Sequence, residues 1–107
     1  MYPHEKEALR RITDILRAEL HEQIVAVYAF GSKVRGDFDE WSDFDVLILV
    51  RDKNSELEER IVSIFVDEEI KAGLSFTPVI KDHHSFELEK RHNSPFYWNI
   101  IKEGVSL

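Results

Sequence analysis

The chain has 107 residues, 43% of them hydrophobic and 33% charged, which suits one folded domain spanning 1–107 and excludes a disordered chain. Its formal net charge of −7 argues against nonspecific nucleic-acid binding, which needs an excess of Lys and Arg. The absence of cysteine excludes a disulfide scaffold and a thiolate site; with no apolar run of membrane-spanning length and a polar N-terminus unlike a signal peptide, a cytoplasmic protein is expected.

In "PHEKEALRRITDILRAEL", Leu9, Ile12, Ile15, Leu16 and Leu20 recur at helical spacing behind Pro3, a residue suited to a first helical turn. "IVAVYAF" is apolar on both faces, as an inner strand is. "GSKVRGDFDEWS" has the composition of a loop, with a short helical turn opening at Ser32. "DFDVLILV" is a second two-sided strand. "NSELEERIVSIFVDEEIKAG" reads as a helix with Ser55 and Glu58 at capping-box spacing and Leu57, Ile61, Ile64 and Phe65 on one stripe. Gly73 ends it, and "DEE" at 67–69 reads as a solvated face. "LSFTPVIK" is a third strand, whose Pro78 argues for an edge or a bulge. "DHHSFELEKRH" is a short helix. In "NSPFYWNIIKEG", Ser94 caps, Pro95 takes the first helical position, Gly104 closes the helix, and Phe96, Tyr97 and Trp98 pack toward the sheet. The order α-β-β-α-β-α-α implies an α/β (α+β) fold, a small mixed sheet with helices packed on it. An edge near Pro78, or residues 105–107, offers a place for two copies to pair.

Asp43 and Asp45 break the strand pattern, because aspartate is disfavoured in strands and costly near a core. Residues i and i+2 share a strand face about 7 Å apart, and two carboxylates there are the minimal claw for a hard cation such as Mg²⁺ or Mn²⁺. Alone, the pair reads as readily as a turn cap and a solvated edge residue. Upstream, however, Gly31 lets backbone N–H groups approach an anion closely, and a helical turn from Ser32 adds partial positive charge. The Ser32 hydroxyl can donate to a phosphate oxygen, and Lys33 and Arg35 add charge. A phosphate cradle and a metal claw at neighbouring strand ends together describe a site for a divalent cation bridging the phosphates of a nucleotide.

Other candidates carry less. None of the five histidines stands at zinc-type spacing, although His83 or His84 could reach the site mouth from the end of the third strand. Trp41 could stack a nucleobase but reads better as packing under the loop. No G-x-S-x-G nucleophile elbow is present.

The stretch "GSKVRGDFDEWSDFDVLILV" resembles the signature of the minimal nucleotidyltransferase (MNT) family, within the DNA polymerase beta-like superfamily. The matching elements are Gly31-Ser32, Arg35-Gly36 and Ser42-Asp43-x-Asp45. The end, "PFYWNIIKEGVSL", is similar to the closing segment of those proteins. The resemblance implies that Gly31 and Ser32 hold nucleotide phosphate and that Asp43 and Asp45 bind Mg²⁺. It implies transfer of a nucleotidyl group, usually AMP from ATP, to an acceptor hydroxyl. It also implies a protein partner of the HEPN type, with this chain as the antitoxin.

One departure stands out. The superfamily's third acidic residue belongs on the strand after the next helix, and "LSFTPVIK" contains none. By register Thr77 takes its place, with Ser75 as the other same-face candidate. Asp82 is expected beyond the strand, and Glu68 and Glu69 on the preceding helix. A neutral hydroxyl is a weak Mg²⁺ ligand, so the expectation is nucleotide binding with slow or partner-assisted transfer. The alternatives are a nucleotide-binding or partner-binding module that has lost catalysis, and an aminoglycoside-type transferase, disfavoured because no second domain is present to grip a small acceptor.

Overall fold

The computed structural model describes residues 1–35 and 43–107. It contains α1 (Pro3–Leu20), β1 (Ile24–Phe30), α2 (Ser32–Arg35), β2 (Phe44–Val50), α3 (Ser55–Ala72), β3 (Phe76–Asp82), α4 (His83–Arg91), α5 (Pro95–Glu103) and β4 (Val105–Ser106). The four strands form one mixed sheet in the order β3-β2-β1-β4. β1 runs antiparallel to both β2 and β4, and β2 runs parallel to β3.

Alternation along each strand sorts its side chains between two layers. Phe44, Val46, Ile48 and Val50 of β2 face α1 and α3, where they join Leu9, Ile12 and Leu16 of α1 and Ile61 and Phe65 of α3. Leu47 and Leu49 face the other way, onto Phe86 of α4 and Ile100 of α5. A central strand covered on both faces needs apolar residues at every position, which is why β2 reads as an unbroken apolar run after Asp45.

Element ends follow local chemistry. Pro3 opens α1, and Gly73 closes α3 at φ 68°, its N–H donating to the Glu69 carbonyl. The Ser94 hydroxyl accepts from the Tyr97 N–H to cap α5. The cap of α3, in contrast, is Asn54 and not the expected Ser55, with Asn54 Oδ1 accepting from the Leu57 N–H at 2.9 Å. Ser55 is already helical, and the side chain one residue earlier, in an extended conformation, has the reach.

Residues 105–106 pair with Ala29 and Tyr28 of β1 in the same chain and form the second edge of the sheet. Tertiary contacts correct three further expectations. Glu68 is buried (2% exposed) and ion-paired with Arg11 of α1, so it does not belong to a solvated face. Trp98 is 52% exposed, while Phe96 and Tyr97 pack inward as expected. Asp82 is the last residue of β3 and not beyond it, its carboxylate accepting the Lys53 N–H.

β3 is an edge strand, as Pro78 argues. The Ser75 carbonyl accepts from Phe44, so Ser75 faces β2. Alternation then turns Phe76 and Pro78 outward, where the Phe76 N–H donates to Glu69 Oε1 at 2.9 Å and Pro78 has no N–H. Two outward donors are thereby removed from the edge, which opposes strand pairing with a second copy.

Candidate functional site

Asp43 and Asp45 lie where β2 begins, on the face that carries Leu47, Leu49 and, from β1, Phe30. Asp45 sits between two partners, Phe30 of β1 and Thr77 of β3. The end of the antiparallel β1 and the starts of the parallel β2 and β3 therefore meet at one rim of the sheet. Asp43 is exposed and Asp45 half-buried.

Each carboxylate has a neighbour that governs it. Thr77 Oγ1 donates to Asp43 Oδ2 at 3.0 Å. Gly31 follows Phe30 at φ +90°, a region that L side chains rarely adopt. A Cβ on Gly31 would lie 2.2 Å from Asp45 Oδ2 and 3.2 Å from its Cγ. The bare Cα is thus the surface against which the Asp45 carboxylate rests. The local sequence associates Gly31 with an anion; the contact with Asp45 requires the pairing of β1 with β2 and has no local signature.

α2 opens at Ser32, immediately after this glycine. Lys33 is turned away from the carboxylates. Its Nζ lies 3.9 Å from Glu5 Oε2 and 5.3 Å from the centroid of the Phe44 ring, and Phe44 faces the α1/α3 layer. Glu5 is buried, and its Oε1 accepts the Tyr2 N–H at 2.7 Å. A buried glutamate near a helix start looks like any other first-turn acid in the sequence, so this contact was not legible there. The side chains of Ser32 and Arg35, and the readings placed on Gly36, Trp41 and Ser42, lie outside the described residues.

The other acidic and histidine candidates lie away from this rim. Asp82 pairs with Val50, five residues along from Asp45, which places it about 17 Å away at the far end of the sheet. His83 and His84 open α4 directly after it and are likewise remote, so the thought that they reach the site mouth is not upheld. Among the described residues no group of three or more His, Cys, Asp or Glu side chains stands together as a metal site. Among the described residues, the rim holds the carboxylates of Asp43 and Asp45 and the hydroxyl of Thr77. On its inner side the Phe96 ring of α5 meets Phe30 edge-on, centroids 5.5 Å apart, so the first turn of α5 stands beside the pair formed by Phe30 and Asp45.

The chain is similar to known proteins over most of its length. A profile of the nucleotidyltransferase domain matches residues 9–102. Two proteins of Methanocaldococcus jannaschii, both named as candidate protein adenylyltransferases, are similar in sequence. One is 27% identical over 101 residues, covering 94% of this chain and 95% of that protein. The other is 38% identical over 76 residues, covering 70% and 73%. In fold, the chain is similar to a solved candidate minimal nucleotidyltransferase, with a TM-score of 0.58 at 24% identity over 94% of each chain. It is also similar to a chain of the toxin–antitoxin MntA-HpeT, with a TM-score of 0.58 at 15% identity over 91% of this chain and 69% of that one. A toxin–antitoxin structure with AMP-PNP matches at a TM-score of 0.57. Among the described residues no helix is long and apolar enough to cross a membrane.

Proposed function

The chain belongs to the nucleotidyltransferase domain family, and on that premise we propose that it transfers AMP from ATP to a hydroxyl on a partner protein. The acceptor oxygen forms a bond to the α-phosphorus, the bond to the β-phosphate oxygen breaks, pyrophosphate leaves, and the hydroxyl proton passes to solvent or to a base on the partner. The observation that carries this reading is the rim itself: two carboxylates on one strand face, one resting on the bare Cα of Gly31 and the other held by Thr77.

That donor set fits a hard divalent cation, Mg²⁺ or Mn²⁺. Among the described residues it offers oxygen donors only, and Mg²⁺, which takes one or two protein carboxylates and keeps several waters, would suit such a set. When bound, such an ion neutralises triphosphate charge and polarises the phosphoryl group. Asp43 and Asp45 would supply its protein ligands. Gly31, Ser32 and Arg35 are assigned to the phosphates; Lys33 can join them only by leaving Glu5 and Phe44. The partner is assigned as a HEPN-type toxin, with this chain as its antitoxin, a reading supported by the toxin–antitoxin chains of similar fold.

A second reading, a nucleotide-binding module with weak or lost catalysis, is favoured by Thr77. It stands opposite Asp45 with a hydroxyl in place of a third carboxylate, and that hydroxyl already donates to Asp43. One experiment separates the two. The protein is incubated with α-labelled ATP, Mg²⁺ and the product of its neighbouring gene. Label on the partner supports transfer, a stable unlabelled complex supports the binding module, and calorimetry checks the shared premise. If ATP with Mg²⁺ does not bind, or binds equally to the Asp43→Asn, Asp45→Asn double variant, both readings fail.

A further inference from the structure

On the face of α3 turned away from the core, Val62, Val66 and Ile70 stand at i, i+4 and i+8 and are 43%, 43% and 78% exposed. Helical periodicity aligns them in one stripe, opposite the buried stripe of Leu57, Ile61, Ile64 and Phe65. β-branched residues are poorer helix formers than Ala, Glu or Lys, so nothing intrinsic to the helix favours them at three exposed positions. A shallow depression of about 570 Å³ runs along the first half of this stripe, lined by Ser55, Glu58, Glu59, Val62, Ser63 and Val66.

The stripe is bordered by acid. At 3.6 residues per turn, Glu58 and Glu69 fall on one side, Glu56 and Asp67 on the other, and Glu59 lies within the stripe. The basic residues of the helix, Arg60 and Lys71, fall further round, and Lys53 reaches Glu58 from outside the helix at 3.5 Å. Glu69 gives one oxygen to the Phe76 N–H. In a symmetric pairing of two such helices, acidic borders would meet acidic borders, which opposes a second copy of this chain as the occupant.

We propose that this face of α3 docks a basic amphipathic helix of a partner protein, its apolar residues laid along Val62, Val66 and Ile70 and its Lys and Arg side chains meeting the acidic borders. The surface lies on the α1/α3 side of the sheet, whereas Asp43 and Asp45 face the α4/α5 side. A partner held here would leave the carboxylate rim open, and the proposal does not depend on nucleotidyl transfer.

The test uses three synthetic helical peptides of about five turns: one with a Leu stripe flanked by Lys and Arg, one with the same stripe flanked by Glu, and a scrambled version of the first. The basic amphipathic peptide should bind the intact protein and shift the NMR methyl signals of Val62, Val66 and Ile70. Val66→Glu should weaken that binding about tenfold or more, with the protein's melting temperature and ATP binding unchanged. Absence of binding, equal binding of the scrambled or the acidic peptide, or methyl shifts confined to other residues would overturn the proposal. So would a dimer in sedimentation equilibrium that Val66→Glu converts to monomer, because a second copy would then own the face.

Discussion

Replacing Gly31 by alanine separates what a glycine does for the backbone from what it does for Asp45. The backbone part is the cost of placing an L residue at φ +90°, about 1–2 kcal/mol. The steric part arises because the new methyl would sit 2.2 Å from Asp45 Oδ2. That atom is the end of a rotatable side chain, so the carboxylate can swing aside for roughly 0.5–1.5 kcal/mol of rotamer strain. Gly31→Ala should therefore destabilise the fold by about 1.5–3.5 kcal/mol in urea unfolding. The functional loss should be disproportionate, because the displaced group is a proposed ligand: affinity for ATP with Mg²⁺ should fall roughly 10–100-fold in calorimetry, the usual range when a ligand's support is removed. A double-mutant cycle isolates the contact. In an Asp45→Ala background only the φ cost remains, since the Asp45 Cβ would be 3.4 Å from the new methyl, an ordinary contact. The two substitutions should thus couple by about 1 kcal/mol. Equal costs of Gly31→Ala in both backgrounds, or unchanged ATP binding in the single variant, would refute the role assigned to the bare Cα.

Thr77→Asp should place a third carboxylate beside the pair; it should lower the melting temperature without metal, increase the rise produced by Mg²⁺, and raise transfer to the acceptor. Asn54→Ala should cost about 1 kcal/mol in urea unfolding, while Ser55→Ala, already inside the helix, should cost little. Glu7 is held below its ordinary value of 4.5, first by the side-chain hydrogen bond from Arg10, which outweighs the opposing effect of desolvation, and then by the charges of Arg10 and Arg11. A carboxyl depressed in the folded state adds stability above its unfolded pKa and loses it as pH falls through the folded one. The Glu7 titration followed by NMR should therefore have its midpoint below 4.5 and move upward in Arg10→Met.

Much of the fold was legible because its information is local. The stripe of α1, the two-sided apolar runs of β1 and β2, Pro95 behind Ser94, and Gly73 at a positive φ each follow from neighbours within one or two turns of chain. The miss at Asn54 is of the same local kind: adjacent side chains competed for one cap, and backbone geometry, which composition does not encode, chose between them. Glu68 was misread for a different reason. Its partner, Arg11, lies 57 positions earlier on another helix, and only the packing of α1 on α3 turns an acid in a polar run into a buried ion pair.

By itself, the chain's order of residues determined that two carboxylates stand at a strand mouth, that a Gly-Ser turn precedes them, and that the strand after the next helix brings a threonine instead of an acid. Those are statements about spacing, and spacing survives in any fold that forms these elements. Tertiary structure decided what the groups meet. Pairing β1 with β2 laid Asp45 on the Cα of Gly31, and pairing β2 with β3 brought Thr77 to Asp43. The docking of α1 drew Lys33 to Glu5 on the opposite face. Side-chain direction near a sheet edge is set by which strands lie on either side, and that depends on contacts between residues far apart in the chain.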